Sequence, residues 1–468
     1  MTTNLTPGAV ATPTAFPESG TFHTERRITL LCETRGARIH YTVDGSMPTV
    51  TSPVFDPYAL PLCTVNDEGG HRATADFTIR ALAVRDGMAP SDVATFRYTI
   101  ARRGKDEYLN RALHPGLLMI VDFDDTKMVL VIGTKRALLI DAGLGAGDLR
   151  AYVESLANGL PLDVVITHAH PDHVACMGQF QEHSKVYMNH ADMPMLKRFI
   201  AERGLQVDPE KVIDLKEGFS FNLGDRTLTV YEVPGHTSGS IVLFDAANGI
   251  LFAGDALGSN RPTIVDALWM QNKGMLKIDE YLSSLHVFHA KLHGKIREIY
   301  TGHNDLPLLG ETYLNNLKTA AQRLVDEGDA ALVPSLRPTG VWQTVEGDRL
   351  SNPDWVSINV SKGSYLTSPP EKLATLSNLQ VNGGTLDQSF KPDVLHYALT
   401  VGPDASQVEV TATSTSGRSS GLAINDVTVK SGVVQRVMLA GVDVVRVHVS
   451  SPDGSVTKAY TLAVQRTR

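Results

Sequence analysis

One short segment constrains this chain of 468 residues more than any other. The apolar run at residues 162–166 predicts a buried strand, and residues 167–173 (Thr-His-Ala-His-Pro-Asp-His) follow it directly. That segment places metal-competent side chains side by side, and they are His168, His170, Asp172 and His173. A solvated polar loop is the simpler alternative, but the preceding strand and the density of ligand types disfavour it. The segment therefore predicts a metal site, because imidazole and carboxylate groups bind zinc, iron and manganese.

The local geometry divides these ligands into two pairs. In an extended chain, His168 and His170 lie on the same side because side chains alternate with a period of two. Proline tolerates the first helical position, so a helix is expected to begin at Pro171. Asp172 and His173 would then project from its first turn at a different angle. One loop thus offers ligands to two adjacent points in space.

Three later segments supply the further ligands that a metal held by two histidines requires. Each follows the same order of a strand, a small residue and a ligand. They are residues 233–240 with His236, residues 249–256 with Asp255, and residues 296–304 with His303. Active sites of layered α/β folds lie at the carboxyl ends of strands, so these side chains are expected to meet in one place.

The succession of these motifs resembles the metallo-β-lactamase fold superfamily. The motifs are His-x-His-x-Asp-His, Gly-His, Gly-Asp and Gly-His, in that order. Residues 137–143 (Ala-Leu-Leu-Ile-Asp-Ala-Gly) are similar to the strand and turn that precede the metal motif in that family. The resemblance covers roughly residues 101–345 and implies a central αββα fold, which is an α/β sandwich.

The resemblance also implies a ligand set. It assigns the first metal ion to His168, His170 and His236. It assigns the second metal ion to Asp172, His173 and His303, with Asp255 bridging both. The expected cofactors are two divalent metal ions, zinc first, with manganese and iron as alternatives. Asp141 is expected to orient a ligand histidine by a hydrogen bond.

The reaction implied by this ligand set is hydrolysis by a hydroxide that the two metals share. Asp172 and Asp255 are the expected catalytic residues, with Asp172 holding the nucleophile or passing its proton to the leaving group. A bridging aspartate is typical of the branch that resembles glyoxalase II-like thioesterases, lactonases and phosphodiesterases, and the true β-lactamases of the family lack it. The main prediction is therefore a hydrolase of an ester, thioester or lactone bond. Phosphodiester or β-lactam hydrolysis at the same site is an alternative, and so is a non-catalytic surface or glycan-binding protein.

The rest of the chain predicts a multidomain protein with an all-β sandwich on each side of the catalytic domain. Residues 39–49 resemble a chitobiase C-terminal-like module, and the segments after residue 373 resemble a cadherin-like module. The predicted domains are residues 12–100, 101–366 and 373–468.

Charge and hydropathy narrow the expected partners. A net charge of −8 disfavours a nucleic-acid partner, and no apolar run is long enough to span a membrane. A small-molecule substrate is expected, with carbohydrate binding or self-association as roles for the β-sandwich modules. Such modules resemble those of exported bacterial proteins. This favours a secreted or periplasmic location if a signal peptide has been removed, and a cytoplasmic one otherwise.

The remaining cysteines and histidines are interpreted as structural. Cys32 and Cys63 lie in one module, and the sequence leaves their pairing open. Cys176 is expected to pack in a helix rather than bind metal. Three histidines have helical spacing and are interpreted as surface or core residues, and they are His286, His289 and His293.

Overall fold

The structure is a computed structural model. It describes residues 8–56, 60–65, 72–258, 268–270, 276–334, 342–346, 356–360, 365–367, 372–416 and 421–467. These residues form three successive bodies along the chain. The exact bounds of the predicted domains stay predictions.

The N-terminal body is a small β structure built around a core of alternating apolar residues. Its strands are β1 Thr14–Phe16, β2 Gly20–Phe22, β3 Arg26–Arg27, β4 Thr29–Leu31, β5 Arg38–Thr42, β6 Leu62–Cys63, β7 Ala73–Val84 and β8 Ala94–Arg102. The largest sheet has the order β2-β8-β7-β5. Cys32 and Cys63 are both free thiols, and the Cys32 thiol donates to the Ala11 carbonyl.

The central body contains two large sheets. The first has the order β15-β14-β13-β12-β11-β10-β9 and the second has the order β16-β17-β18-β19-β21-β22. The strands of the first sheet are β9 Leu109–His114, β10 Leu117–Val121, β11 Lys127–Ile132, β12 Ala137–Ile140, β13 Leu162–Val165, β14 Val186–Met188 and β15 Val212–Asp214. Those of the second are β16 Ser220–Asn222, β17 Thr227–Glu232, β18 Ile241–Asp245, β19 Ile250–Gly254, β21 Glu298–Thr301 and β22 Leu308–Leu309.

Helices cover the outer face of each sheet. They are α1 Leu149–Leu156, α2 Pro171–Val174, α3 Met193–Arg203, α4 Ile278–Leu292 and α5 Gly310–Glu327. Short 3-10 turns lie at Met177–Phe180, His190–Asp192, Pro209–Lys211 and Gly328–Ala331. Helix α2 begins at Pro171, as the sequence predicts. Cys176 is buried in the core as predicted, but it lies in the turn after α2 and not in a helix.

Side-chain alternation produces the four layers. In β18, Ile241 and Leu243 pack between the two sheets, whereas Val242 and Phe244 pack against the helices. Because successive residues of a strand face opposite sides, a continuous apolar run can fill both layers. The central body is therefore the αββα sandwich that the sequence motifs imply.

A further sheet and a C-terminal β-sandwich complete the chain. The further sheet packs against α5 and has the order β20-β25-β24-β23. Its strands are β20 Leu268–Met270, β23 Val333–Pro334, β24 Trp342–Glu346 and β25 Val356–Val360. The sandwich sheets have the orders β26-β29-β32 and β27-β28-β34-β33-β30-β31. Their strands are β26 Leu376–Asn382, β27 Gly384–Leu386, β28 His396–Val401, β29 Gln407–Ser414, β30 Gly421–Ile424, β31 Val427–Thr428, β32 Val434–Met438, β33 Val444–Ser450 and β34 Thr457–Arg466.

Both flanking bodies contact the central one through polar groups. On the C-terminal side, the Gln322 side chain donates to the Thr415 carbonyl at 2.8 Å. On the N-terminal side, the Arg26 guanidinium lies 3.7 Å from Asp125 Oδ2 and 4.0 Å from Asp305 Oδ2. The Lys127 ammonium contacts the same two carboxylates and is fully buried. Within the described residues, no helix is both long and apolar enough to cross a membrane.

We expect Arg26→Met to lower the free energy of unfolding by about 2 kcal/mol, because it removes a buried charge from a paired cluster. The matched control is Arg38→Met, whose side chain is 58% exposed beside Asp86, and which should cost less than about 1 kcal/mol. Urea denaturation of the two variants measures both changes. Equal midpoints would contradict the structural role of Arg26.

Candidate metal centre

The fold brings every candidate ligand to one edge of the two sheets. The carboxyl ends of β13, β19 and β21 lead into His168, Asp255 and His303, and the connection from β17 to β18 carries His236. The ligands form two groups, and within each group the donor atoms lie within 4.8 Å of one another. The first group is His168, His170 and His236, and the second is Asp172, His173, Asp255 and His303.

The first group is a pocket of converging imidazole nitrogens. His170 Nδ1 lies 3.1 Å from His168 Nε2 and 2.9 Å from His236 Nε2. Burial and the neighbouring rings hold the pKa of His168 well below its usual range. They also lower the pKa of His170 to about 3. These rings therefore stay neutral and keep lone pairs for an electron-pair acceptor.

The second group combines two carboxylates with two imidazoles. His303 Nε2 lies 3.4 Å from Asp172 Oδ2 and 3.2 Å from Asp255 Oδ2. Burial opposes a charge on His303, but the two carboxylates outweigh it and raise its pKa to about 9. Burial likewise opposes ionisation of Asp172, but His173 and His303 outweigh it and lower the pKa of this carboxyl. The two carboxylates therefore favour positive charge at this group.

Asp255 lies between the two groups. Its Oδ2 is 3.2 Å from His303 Nε2, 3.6 Å from His173 Nε2 and 3.7 Å from His236 Nε2. One carboxylate oxygen thus faces imidazoles of both groups, and this is the placement that a bridging ligand requires.

Asp141 fixes the tautomers of two ligand histidines, as the sequence predicts for one. Its Oδ2 accepts the proton of His173 Nδ1 at 2.8 Å and that of the Thr167 hydroxyl at 2.8 Å. The same hydroxyl oxygen lies 3.1 Å from His168 Nδ1, so it accepts the Nδ1 proton of that ring. When these two rings are neutral, the lone pair of each is therefore on Nε2, which points into the site.

A glycine allows the loop after β21 to pass close to the ligands. A Cβ at Gly302 would lie 2.5 Å from Asp255 Oδ1 and 2.6 Å from His173 Cε1. Both distances are shorter than van der Waals contact, so a larger residue would displace ligands of the second group. This explains the small residue that precedes His303 in the sequence motif.

Sequence analysis missed Asp192, which holds the loops of the first group together. Its Oδ2 accepts from Ala169 N at 3.0 Å and from the Thr237 hydroxyl at 2.7 Å, and its Oδ1 accepts from Gly239 N at 2.6 Å. The carboxylate is buried, and burial raises its pKa even though these donors favour the charged form. Asp192 lies in the 3-10 turn His190–Asp192, which follows β14. That turn lies at the same edge of the sheet as the ligand loops, and this position was the available signal.

The donor set fits divalent cations. His173 Nε2 is buried and has no hydrogen-bond partner among the described residues. Buried polar atoms without a hydrogen-bond partner destabilise a fold. A cation at each group would interact with both the converging lone pairs and the carboxylate charge. Imidazole and carboxylate ligands suit zinc, and also manganese and iron.

Family models match residues in all three bodies of the chain. The model of the metallo-beta-lactamase superfamily matches residues 121–303. The chitobiase/beta-hexosaminidase C-terminal domain matches residues 17–95, and the cadherin-like beta sandwich domain matches residues 376–467. The chain thus has a central metallo-β-lactamase fold between two β-sandwich domains.

Individual relatives match part of the chain. The acyl-coenzyme A thioesterase MBLAC2 of Gallus gallus is 34% identical over 160 residues, covering 27% of this chain and 56% of the relative. The hydroxyacylglutathione hydrolase of Bdellovibrio bacteriovorus is 30% identical over 138 residues, covering 29% and 50%. The chain spans about half the length of these curated relatives. Among solved structures, a metallo-beta-lactamase from Pontibacter korlensis is 18% identical, with 43% of this chain and 93% of that chain covered at a TM-score of 0.36.

We expect Asp141→Asn to weaken zinc binding about 10- to 100-fold, because the amide N–H₂ facing His173 Nδ1 would force that ring into the wrong tautomer. Equilibrium dialysis against zinc measures the affinity. The control is Asp163→Asn on β13, a carboxylate that pairs with Arg136 at 2.7 Å and should leave zinc binding unchanged. Equal affinity in Asp141→Asn and the natural protein would refute this role of Asp141.

Proposed function

We propose that this protein is a dinuclear metal-dependent hydrolase that cleaves a thioester, ester or lactone bond. The observation that supports this most directly is the position of Asp255 Oδ2, within 3.7 Å of His236 in one group and 3.2 Å of His303 in the other. A carboxylate placed between two ligand groups suits two metal ions that share one nucleophile.

The metals, when bound, would lower the pKa of a water and polarise the substrate carbonyl oxygen. The histidines of the first group would hold one ion as neutral ligands, and Asp141 keeps the Nε2 lone pairs of His168 and His173 directed into the site. Asp255 would reduce the net positive charge of the two ions. The protein thus fixes the geometry before the substrate arrives, so little reorganisation is needed in the transition state.

Asp172 is the residue placed to move a proton. Its side chain is 27% exposed, whereas that of His173 beside it is fully buried. Its low pKa keeps the carboxylate ionised, so its oxygen accepts a hydrogen bond from the attacking water. As the water attacks, the same oxygen can take that proton and then pass it to the departing thiolate or alkoxide.

The relatives favour a thioester within this substrate class. Their names specify an acyl-coenzyme A thioesterase and a hydroxyacylglutathione hydrolase. A thiolate leaves more readily than an alkoxide because its conjugate acid has a pKa near 8.5, so it needs less protonation by Asp172.

The decisive experiment measures hydrolysis of acyl-coenzyme A, an acylglutathione and the matched oxygen ester by the zinc-loaded protein. We expect the thioesters to be cleaved faster, and we expect His170→Ala and Asp255→Ala to lower kcat/KM about a thousandfold or more. His183→Ala, which replaces an exposed histidine, is the control and should retain full activity. Hydrolysis that survives in both ligand variants, or inactivity of the zinc-loaded protein on the whole panel, would overturn the proposal.

A further inference from the structure

A second cluster of metal-competent side chains lies between α4 and α5, outside the residues of the candidate metal centre. His289 is in the last turn of α4, His293 caps that helix, and Glu311 is in the first turn of α5. The Nε2 of His289 is 2.7 Å from Glu311 Oε2, and the Nδ1 of His293 is 3.3 Å from the same oxygen. We propose that His289, His293 and Glu311 form a separate binding site for a zinc-like divalent cation.

The geometry of these residues suits one ion. Residues four apart on a helix share a face, and this places His289 and His293 side by side. Their donor atoms and that of Glu311 lie within 4.8 Å of one another. The Gly294 amide donates to Glu311 Oε1 at 2.8 Å, so the carboxylate is held with Oε2 toward the two rings. Two imidazoles and one carboxylate are ligands that zinc accepts, with a water in the fourth position.

Lys318 competes with the cation for His289. Its Nζ lies 2.7 Å from His289 Nδ1. An ammonium group only donates, so Nδ1 accepts and the ring proton is on Nε2, where it is donated to Glu311. A cation bound at Nε2 replaces that proton, and Nδ1 must then carry one. Binding therefore follows one of two routes. Either the bond from Lys318 breaks and the ring proton moves from Nε2 to Nδ1, with no net proton release, or Lys318 gives its proton to Nδ1 and the Nε2 proton leaves to solvent.

A cation at this site would restrain the two helices that contact the C-terminal sandwich. Val287 on α4 packs against the core of that sandwich. On α5, the Asp326 carboxylate accepts from the Ser416 hydroxyl at 3.2 Å. An ion that joins the end of α4 to the start of α5 would therefore restrain α4 close to its contact with the sandwich, and would hold α5 from its other end.

Replacing Lys318 tests the tautomer argument. Lys318→Gln provides a carbonyl oxygen that accepts the Nδ1 proton, and a metal-binding histidine commonly has such a partner. We expect this variant to bind the additional zinc ion about tenfold more tightly than the natural protein. Lys318→Arg retains a cationic donor and should show no such gain.

His293→Ala tests whether the ion is at this cluster. The His293 side chain is 73% exposed, so its loss should leave the fold intact. Equilibrium dialysis of the full chain against zinc chloride should show one zinc per chain fewer in His293→Ala than in the natural protein. Hydrolysis is not the readout, so this result stands apart from the proposed catalytic activity. Equal zinc content in the natural protein and His293→Ala, or additional binding in Lys318→Gln alone, would overturn the proposal for the natural chain.

Discussion

The buried carboxylate of Asp192 connects the two halves of the central body. It accepts from Ala169, which follows the first sheet, and from Thr237 and Gly239, which belong to the second. A buried carboxylate is stable only when hydrogen bonds replace its lost hydration. Because its donors come from both ligand loops, the charge is satisfied only when the loops are in register. The convergence of His168, His170 and His236 depends on that register.

Crowding of the imidazoles is the cost of this arrangement. The ring centroids of His168 and His173 are 4.1 Å apart, and those of His170 and His236 are 4.6 Å apart. Lone pairs directed at one another without a proton or cation between them repel. Any cation that binds the folded chain more tightly than the unfolded one would offset this cost and stabilise the fold. Metal affinity and folding stability are therefore linked in this domain.

The sequence predicts the metal-ligand residues better than it predicts the residues that hold them in place. The strands before His168 and Asp255 can be predicted because each is a continuous apolar run, and the strand before His303 can be predicted from its alternation of apolar and polar residues. The role of Asp192 cannot be predicted from the sequence, because its hydrogen-bond partners lie 23 to 47 positions away in the chain. The cluster of His289, His293 and Glu311 cannot be predicted from the sequence for the same reason. The helical spacing of the histidines favours a structural interpretation, and the third member comes from the next helix.

The contact between the N-terminal body and the central body restrains the second ligand group. Arg26 faces Asp305, two residues beyond His303, and the Lys127 backbone amide donates to the Gly302 carbonyl at 2.8 Å. The loop that carries His303 is thus held on one side by β11 and on the other by a residue of the flanking sandwich. A ligand on an exposed loop loses conformational entropy when it binds metal. Restraint of this loop before binding reduces that loss, so the N-terminal module contributes to the site although it provides no ligand.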